Sequence, residues 1–284
     1  MNQKVGYFFE NAWKRLRGQP RRCPSCGGPQ SDFVQRKYWV TELRKCRSCR
    51  LLFRYPFDTA EENQRFYQQD YSQGFTSDCP GDNELRQLLD TGFRDHEKDY
   101  RSYLKILQAL GITPGARLID FGSSWGYGVW QFQQAGYEVQ GFEISRSRAR
   151  FGREKLGVNI ADSSDQIRGD ADVFFSAHVL EHVPSIQEVI AKAARCIKPG
   201  GLFIAFTPNG SADFRRRNEA DFRKLWNKAH PNFLTNEFYE WVFSERPLLL
   251  ASYPYEPEKI GAWDRRARRS LSLAGNELLA VAVL

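Results

Sequence analysis

Four of the chain's six cysteines stand in two matching steps, Cys23-Pro-Ser-Cys26 and Cys46-Arg-Ser-Cys49, with 19 residues between the pairs. Two residues between thiolates let one tight turn aim both sulfurs at a single ion, and two such knuckles complete a tetrahedron; this is the spacing of a zinc ribbon. A redox dithiol is the rival reading, and it would place one pair beside a βαβ unit. Gly27 and Gly28 can supply the left-handed backbone that a knuckle uses. Four thiolates leave no open position for a substrate, so Cys23, Cys26, Cys46 and Cys49 are expected to hold a structural Zn2+ and not a catalytic one. Cys196, in a helical pattern, and Cys79, in Ser-Asp-Cys-Pro-Gly, are expected to do no chemistry.

The chain has four histidines, His96, His178, His182 and His230. Histidine is the side chain whose ordinary pKa suits proton transfer near neutrality. His178 and His182 follow the apolar run Asp172-Val-Phe-Phe-Ser176, and His230 stands in Lys228-Ala-His-Pro231; these three are the candidate bases. His96, in Arg-Asp-His-Glu-Lys, reads as solvated surface. No Asp/His group has catalytic-metal spacing along the sequence, so no metal is expected beside these histidines.

A glycine-punctuated turn, Asp120-Phe-Gly122-Ser-Ser124-Trp-Gly126-Tyr-Gly128, follows the apolar run Arg117-Leu-Ile-Asp-Phe121. Glycines there let a ligand approach the backbone beyond the carboxyl end of a strand. The dinucleotide fingerprint G-x-G-x-x-G fails, because Gly126-x-Gly128 is followed by Gln131. Glu143 closes the next apolar run, Tyr137 to Glu143, where a carboxylate can accept both hydroxyls of a ribose.

These residues need a scaffold, and from residue 116 the chain supplies alternating short apolar runs and helical patterns. Such alternation predicts βαβ units and an α/β, Rossmann-like, doubly wound and mostly parallel sheet. Strands are expected at 117–121, 137–143, 172–176 and 202–206, with 248–253 and 278–284 as a closing pair. Ser145 is expected to cap a helix ending near Gly157. Pro184 should open a helix stopped by Pro199-Gly200-Gly201, and residues 84–110 read as one lead-in helix.

At this point the chain resembles a family. Asp120-x-Gly122-x-Ser124-x-Gly126 is similar to the D/E-x-G-x-G-x-G first motif of class I S-adenosylmethionine-dependent methyltransferases, with Ser124 at the middle glycine position. Leu180-Glu-His-Val-Pro184 and Ile197-Lys-Pro-Gly-Gly201 resemble their later motifs. The resemblance implies S-adenosylmethionine as cofactor, with Asp120, Gly122, Ser124 and Gly126 on its methionine side, Glu143 on the ribose and Asp162 near the adenine. A four-cysteine head on such a domain also resembles sugar C-methyltransferases and related polysaccharide or natural-product enzymes. In that group a histidine within a Tyr-x-Glu-His segment is a base candidate. His230 is retained here, while Lys228 and Ala229 replace the preceding tyrosine-to-glutamate context.

The formal charge is +7, but residues 1–57 carry 13 basic and 3 acidic side chains and residues 112–210 carry 10 of each. A basic head on a neutral body suggests an anionic partner for the head, such as nucleic acid, a nucleotide sugar or another acidic surface, with plain solubilising charge as the rival reading. The narrower expectation is a module that helps hold an anionic, diphosphate-linked acceptor beside an uncharged transfer site. The expected division is a basic segment 1–20, a zinc ribbon 21–57, a linker and lead-in helix 58–111, and the transferase domain 112–284. With 41% hydrophobic residues the chain can bury a core. No stretch reaches the roughly 18 apolar residues of a membrane span, and the first 20 residues lack a signal-peptide core, so a cytoplasmic protein is expected. The leading expectation is methyl transfer to a small-molecule acceptor, a sugar or nucleotide-linked intermediate. Two alternatives stand beside it. One is a zinc-ribbon RNA methyltransferase, for which Arg215-Arg-Arg217 and Trp263-Asp-Arg-Arg-Ala-Arg-Arg269 offer basic and aromatic nucleic-acid contacts. The other is a non-catalytic interaction protein. Oligomeric state is not legible.

Overall fold

A computed structural model describes residues 3–59, 61–62, 78–226 and 229–284. Helix α1 (Gln3–Leu16) precedes an antiparallel sheet of β1 (Ser31–Lys37), β2 (Thr41–Cys46) and β3 (Leu52–Tyr55). The knuckles sit at its base. In the first, Gly27 N–H donates to Cys23 O and Gly27 has φ +69°; in the second, Arg50 N–H donates to Cys46 O and Arg50 has φ +66°. A left-handed residue four after the first cysteine therefore closes both turns. Gly27 takes this conformation without strain, Arg50 takes it at some cost, and Gly28 is not left-handed. Of the expected linker, residues 60 and 63–77 lie outside the described residues.

The expected lead-in helix is two helices, α2 (Asp82–Thr91) and α3 (Arg101–Ala109). Gly92 at φ +60° caps α2 in the left-handed conformation, its N–H bonding back to Leu89 O, and so breaks the run. Then come β4 (Arg117–Phe121), α4 (Tyr127–Gln134), β5 (Glu138–Phe142), α5 (Arg146–Phe151), β6 (Ile160–Ala161), β7 (Ala171–Ala177), α6 (Ile186–Cys196) and β8 (Ile197–Pro208). Ser145 precedes α5 without capping it through its side chain. Ser185, not Pro184, starts α6, its Oγ accepting from Glu188 N–H. Strand β8 begins at Ile197, so Pro199-Gly200-Gly201 lies inside the strand, where its pairing with β7 shifts register.

Helices α7 (Ala212–Arg217) and α8 (Glu219–Leu225) lead to β9 (Asn232–Phe233), followed by α9 (Asn236–Val242), β10 (Leu248–Ser252), α10 (Pro257–Gly261), β11 (Arg269–Ser270) and β12 (Glu277–Val283). The main sheet runs β11-β10-β12-β8-β7-β4-β5-β6. β6, β5, β4, β7 and β8 are parallel, and β12 is inserted antiparallel between β8 and β10. This is the doubly wound architecture read from the sequence, including the late closing pair.

Both faces of the sheet are covered, so its strands are apolar throughout. Alternate residues serve opposite cores: Phe121, Phe174, Phe203 and Ala205 on one side, Val173, Phe175, Ile204 and Phe206 on the other. Strand order reverses between β4 and β7, and the crevice beyond their carboxyl ends is where doubly wound folds take ligands. The first of these cores also contains Cys23, Cys46, Cys49 and Phe53, so the ribbon packs onto the main body. Strand β9 completes that union: it pairs with β3, and Arg54 N–H donates to Pro231 O at 2.7 Å. Among the described residues no helix is long and apolar enough to cross a membrane.

Candidate active site

Asp120 is the last polar residue of β4, 1% exposed, and its Oδ2 has no hydrogen-bond partner among the described residues. Burial, and then the charge of Glu143, push its carboxyl up to about 7. The turn that follows is left-handed at Gly122 (φ +86°), Ser124 (φ +51°) and Gly126 (φ +88°). Ser124 thus adopts a backbone conformation that favours glycine, which is how it can occupy the middle position of the motif. Its N–H is spent on Glu143 Oε2 at 2.9 Å, while Ser145 N–H donates to Glu143 Oε1 at 2.7 Å. Two amides therefore orient this buried carboxylate and leave other lone pairs on each oxygen. A Cβ on Gly122 would lie 2.3 Å from Val179 Cγ2, so the segment after β7 presses directly onto the glycine turn. Asp162 follows β6 on the same edge of the sheet, paired with Arg153 at 3.1 Å.

The segment after β7 carries His178, Glu181 and His182. His178 has a left-handed backbone (φ +55°) and a side chain 47% exposed. Its Nε2 donates to Glu277 Oε2 at 2.5 Å, and its Nδ1 lies 3.5 Å from Glu181 Oε1, an ion-pair distance. Partial burial works against the charge, but Glu181 and Glu277 outweigh it and raise the imidazole pKa to about 10. Tyr103 and Tyr255 hydroxyls donate to the same Glu277 carboxylate, at 3.1 and 2.7 Å. Glu277, Tyr103 and Tyr255 escaped the sequence reading; the available signal was a lone acid heading the apolar run of β12.

Glu181 is 1% exposed. Burial alone would raise its carboxyl, yet His178 and His182, with His230 beyond them, bring it down to about 2. The His182 and His230 rings are 4.7 Å apart, centroid to centroid. His182 Nδ1 donates to Ala229 O at 2.5 Å and His230 Nδ1 to Leu225 O at 2.9 Å. Burial lowers the His182 pKa to about 4. The three candidate histidines therefore converge on Glu181, whereas His96 lies apart with its Nδ1 accepting from Lys98 N–H. Asn227 and Lys228 lie outside the described residues.

The four cysteine sulfurs lie within 4.8 Å of one another, with Cys23–Cys49 and Cys26–Cys46 at 3.5 Å. Sulfurs about 2.3 Å from one tetrahedral ion are about 3.8 Å apart, so the set fits zinc closely. A Cβ on Gly28 would lie 3.2 Å from Cys26 Sγ and 3.4 Å from Cys46 Sγ, so the knuckle backbone cradles the sulfurs. Cys49 directs its hydrogen at Cys23 Sγ, which lowers the Cys23 pKa and raises that of Cys49, and burial raises Cys26, so it is a cation that would hold all four as thiolates. In the basic stretches Arg216, Arg217, Arg266 and Arg268 are exposed, while several neighbours make contacts within the fold. Trp263 is buried with its Nε1 on Ala267 O, Arg216 pairs with Asp213, and Arg268 donates to Glu240 O and Ser244 O. Trp263 is accordingly not available to stack on a base.

A sterol 4-C-methyltransferase of Caenorhabditis elegans is 23% identical over 131 residues, 42% of this chain and 39% of that protein. The C-methyltransferase NovU of Streptomyces niveus is 28% identical over 110 residues, 36% of this chain and 26% of that protein. An ubiquinone biosynthesis O-methyltransferase of Bordetella avium is 26% identical over 114 residues, 37% of this chain and 47% of that protein. The matches span less than half of each relative's own length. Among solved structures, geranyl diphosphate C-methyltransferase from Streptomyces coelicolor superposes with a TM-score of 0.48 at 14% identity, covering 80% of this chain and 99% of that one. The family described as methyltransferase domain matches residues 94–248, more than half of the sequence and the span that holds the glycine turn and all three clustered histidines. The chain belongs to that methyltransferase domain family.

Proposed function

We propose that this chain transfers the methyl group of S-adenosylmethionine to a small-molecule acceptor, a sugar or nucleotide-linked intermediate, at oxygen or carbon. The observation that carries the reading is the pairing of Asp120 and Glu143, two buried carboxylates at the carboxyl ends of adjacent parallel strands, beside a glycine turn pressed by the histidine-bearing segment. Asp120, with an unsatisfied buried oxygen, suits the cofactor's ammonium; Glu143 suits its ribose hydroxyls; Gly122, Ser124 and Gly126 supply a close backbone; Asp162 borders the adenine. Bound there, the cofactor supplies a methyl group already activated by its sulfonium charge. Zn2+ on Cys23, Cys26, Cys46 and Cys49 has a structural role, tying β3 and, through it, β9 and His230 in place.

What remains for the protein is alignment and a proton. Alignment of acceptor and methyl carbon contributes up to about 7–11 kcal/mol in favourable intramolecular cases. The acceptor gives up one proton as its new bond to carbon forms. His178 is held as a cation by two carboxylates and contributes charge rather than basicity. A carbonyl oxygen only accepts, so the Nδ1 atoms of His182 and His230 carry hydrogen and Nε2 is the atom at which either ring would exchange a proton. Burial depresses His182 to about 4 and makes it the weaker base, which favours His230 for the role. An open cavity of about 470 Å³ is lined by Leu225, whose carbonyl anchors His230, and by Asn276, next to Glu277; Lys224 and Asp221, paired at 3.0 Å, also line it.

Calorimetry tests the cofactor half of the reading. S-adenosylmethionine should bind, and Glu143→Ala should weaken it about tenfold; unchanged affinity sinks the assignment. For the acceptor half, a panel of nucleotide-linked sugars should yield methylated product, and His230→Gln should slow transfer about 10²–10⁴-fold while leaving cofactor affinity intact.

A further inference from the structure

Glu181, His182 and His230 come from two distant parts of the chain, yet one ring nitrogen of each histidine and one carboxylate oxygen all lie within 4.8 Å of one another. Three further observations bear on what this group holds. Both histidines have Nδ1 held by a backbone carbonyl, the hydrogen bond by which ligating histidines are ordinarily oriented. Glu181 is 1% exposed and neither of its oxygens has a hydrogen-bond partner among the described residues, although buried carboxylates are normally well hydrogen-bonded or metal-bound. Its ion-pair contacts, 3.5 Å to His178 and 3.8 Å to His182, are too long for hydrogen bonds. Finally, the two halves of the group are clamped together. Asn232 N–H donates to Glu181 O at 3.1 Å and Asn232 Nδ2 donates to Val183 O at 2.7 Å, while β9 is itself held by β3.

We propose that Glu181, His182 and His230 form a binding site for one divalent first-row transition cation, beside the methyl-transfer cleft and separate from the cysteine ribbon. Two imidazoles and one carboxylate are a borderline donor set suited to Zn2+, Co2+ or Fe2+, and three protein ligands leave positions open for another oxygen. Ligand atoms about 2.0–2.2 Å from a common ion are roughly 3–3.5 Å apart, so the group closes on a cation by side-chain rotations of about an ångström. The role of the ion rests on the transfer reading above. An acceptor hydroxyl takes an open position, its pKa falls, and its proton passes to solvent water. The oxygen–methyl bond then forms as the sulfur–methyl bond breaks, and the cation is neither oxidised nor reduced. With the ion present His230 acts as a ligand, and without it as the base.

The test titrates Co2+ into the full chain already carrying one ribbon zinc, by calorimetry, followed by elemental analysis of the desalted protein. One Co2+ per chain should bind with the zinc retained. Affinity should fall at least tenfold in Glu181→Gln and in His230→Gln, and stay unchanged in His96→Gln. No cobalt uptake by the unaltered chain, uptake matched by loss of zinc, or equal affinity in both cluster variants overturns the proposal. S-adenosylmethionine affinity, measured on the same samples, separates the two readings. Cobalt uptake without cofactor binding keeps the cation site and defeats the transfer reading; cofactor binding without cobalt uptake does the reverse.

Discussion

Asp120 makes the cofactor reading quantitative. Its carboxyl is pushed up to about 7 by burial and by Glu143, so near neutrality a large share of the free protein carries it protonated. A cofactor ammonium placed against Asp120 favours the ionised form, and binding must then expel the proton. With a pKa of about 7, roughly one molecule in eleven is ionised at pH 6 and one in two at pH 7. S-adenosylmethionine affinity should therefore rise about fivefold from pH 6 to pH 7, because the free-protein proton opposes binding and is lost as pH increases. The cofactor's own amino group begins to lose its charge near pH 7 and is half neutral at about pH 7.7, so the gain should level off above that value. Calorimetry in two buffers of different ionisation enthalpy reads the net proton directly: about 0.9 released per cofactor at pH 6 and about 0.3 at pH 7, where the free cofactor's amine takes up about 0.2. Asp120→Asn should abolish both the slope and the release. Proton uptake, or a slope that survives in Asp120→Asn, would refute the placement of the ammonium at this carboxylate.

Other perturbations reach the scaffold around that site. Gly122→Ala places a Cβ 2.3 Å from Val179 and forces a side chain into φ +86°, so chemical denaturation should show a loss of about 2–4 kcal/mol, with weaker cofactor binding. Glu277→Gln removes one of the two carboxylates that hold His178, and NMR titration should show its pKa falling from about 10. A histidine raised on folding stabilises fully below its unfolded value of about 6.5 and loses that contribution as pH climbs through 10, so the variant should show a shallower decline across that window. Cys46→Ser, or zinc chelation, should loosen β3 and with it β9 and His230, lowering kcat far more than cofactor affinity because the glycine turn rests on β4 and β5. Equal losses in both would show that the ribbon does not act through His230.

The strands of the main sheet were legible because burial on both faces leaves short apolar runs between helical patterns, as in Leu118–Phe121 and Leu202–Phe206. The lead-in helix was misread because apolar spacing continues across Gly92, where the backbone turns left-handed and α2 ends. Ser124 looked like a departure from its motif; the structure shows it in a left-handed conformation that favours glycine. Arg50 hid the same device in the second knuckle, since its residue type does not announce a positive φ.

Local chemistry was written in local spacing. Two cysteines three positions apart, a glycine turn after a strand and an acid at the end of the next strand each depend on a few neighbouring bonds, so the sequence alone determined the paired cysteine steps, the doubly wound fold and the place of the glycine turn. The convergence of Glu181, His182 and His230, and the grip of Glu277, Tyr103 and Tyr255 on His178, were decided only by tertiary structure. They depend on β12 inserting beside β8 and on a two-residue strand from the far end of the chain joining the ribbon's sheet. Such pairings are fixed by backbone hydrogen bonds and by the burial of distant apolar faces, and they leave no periodicity between the residues they bring together.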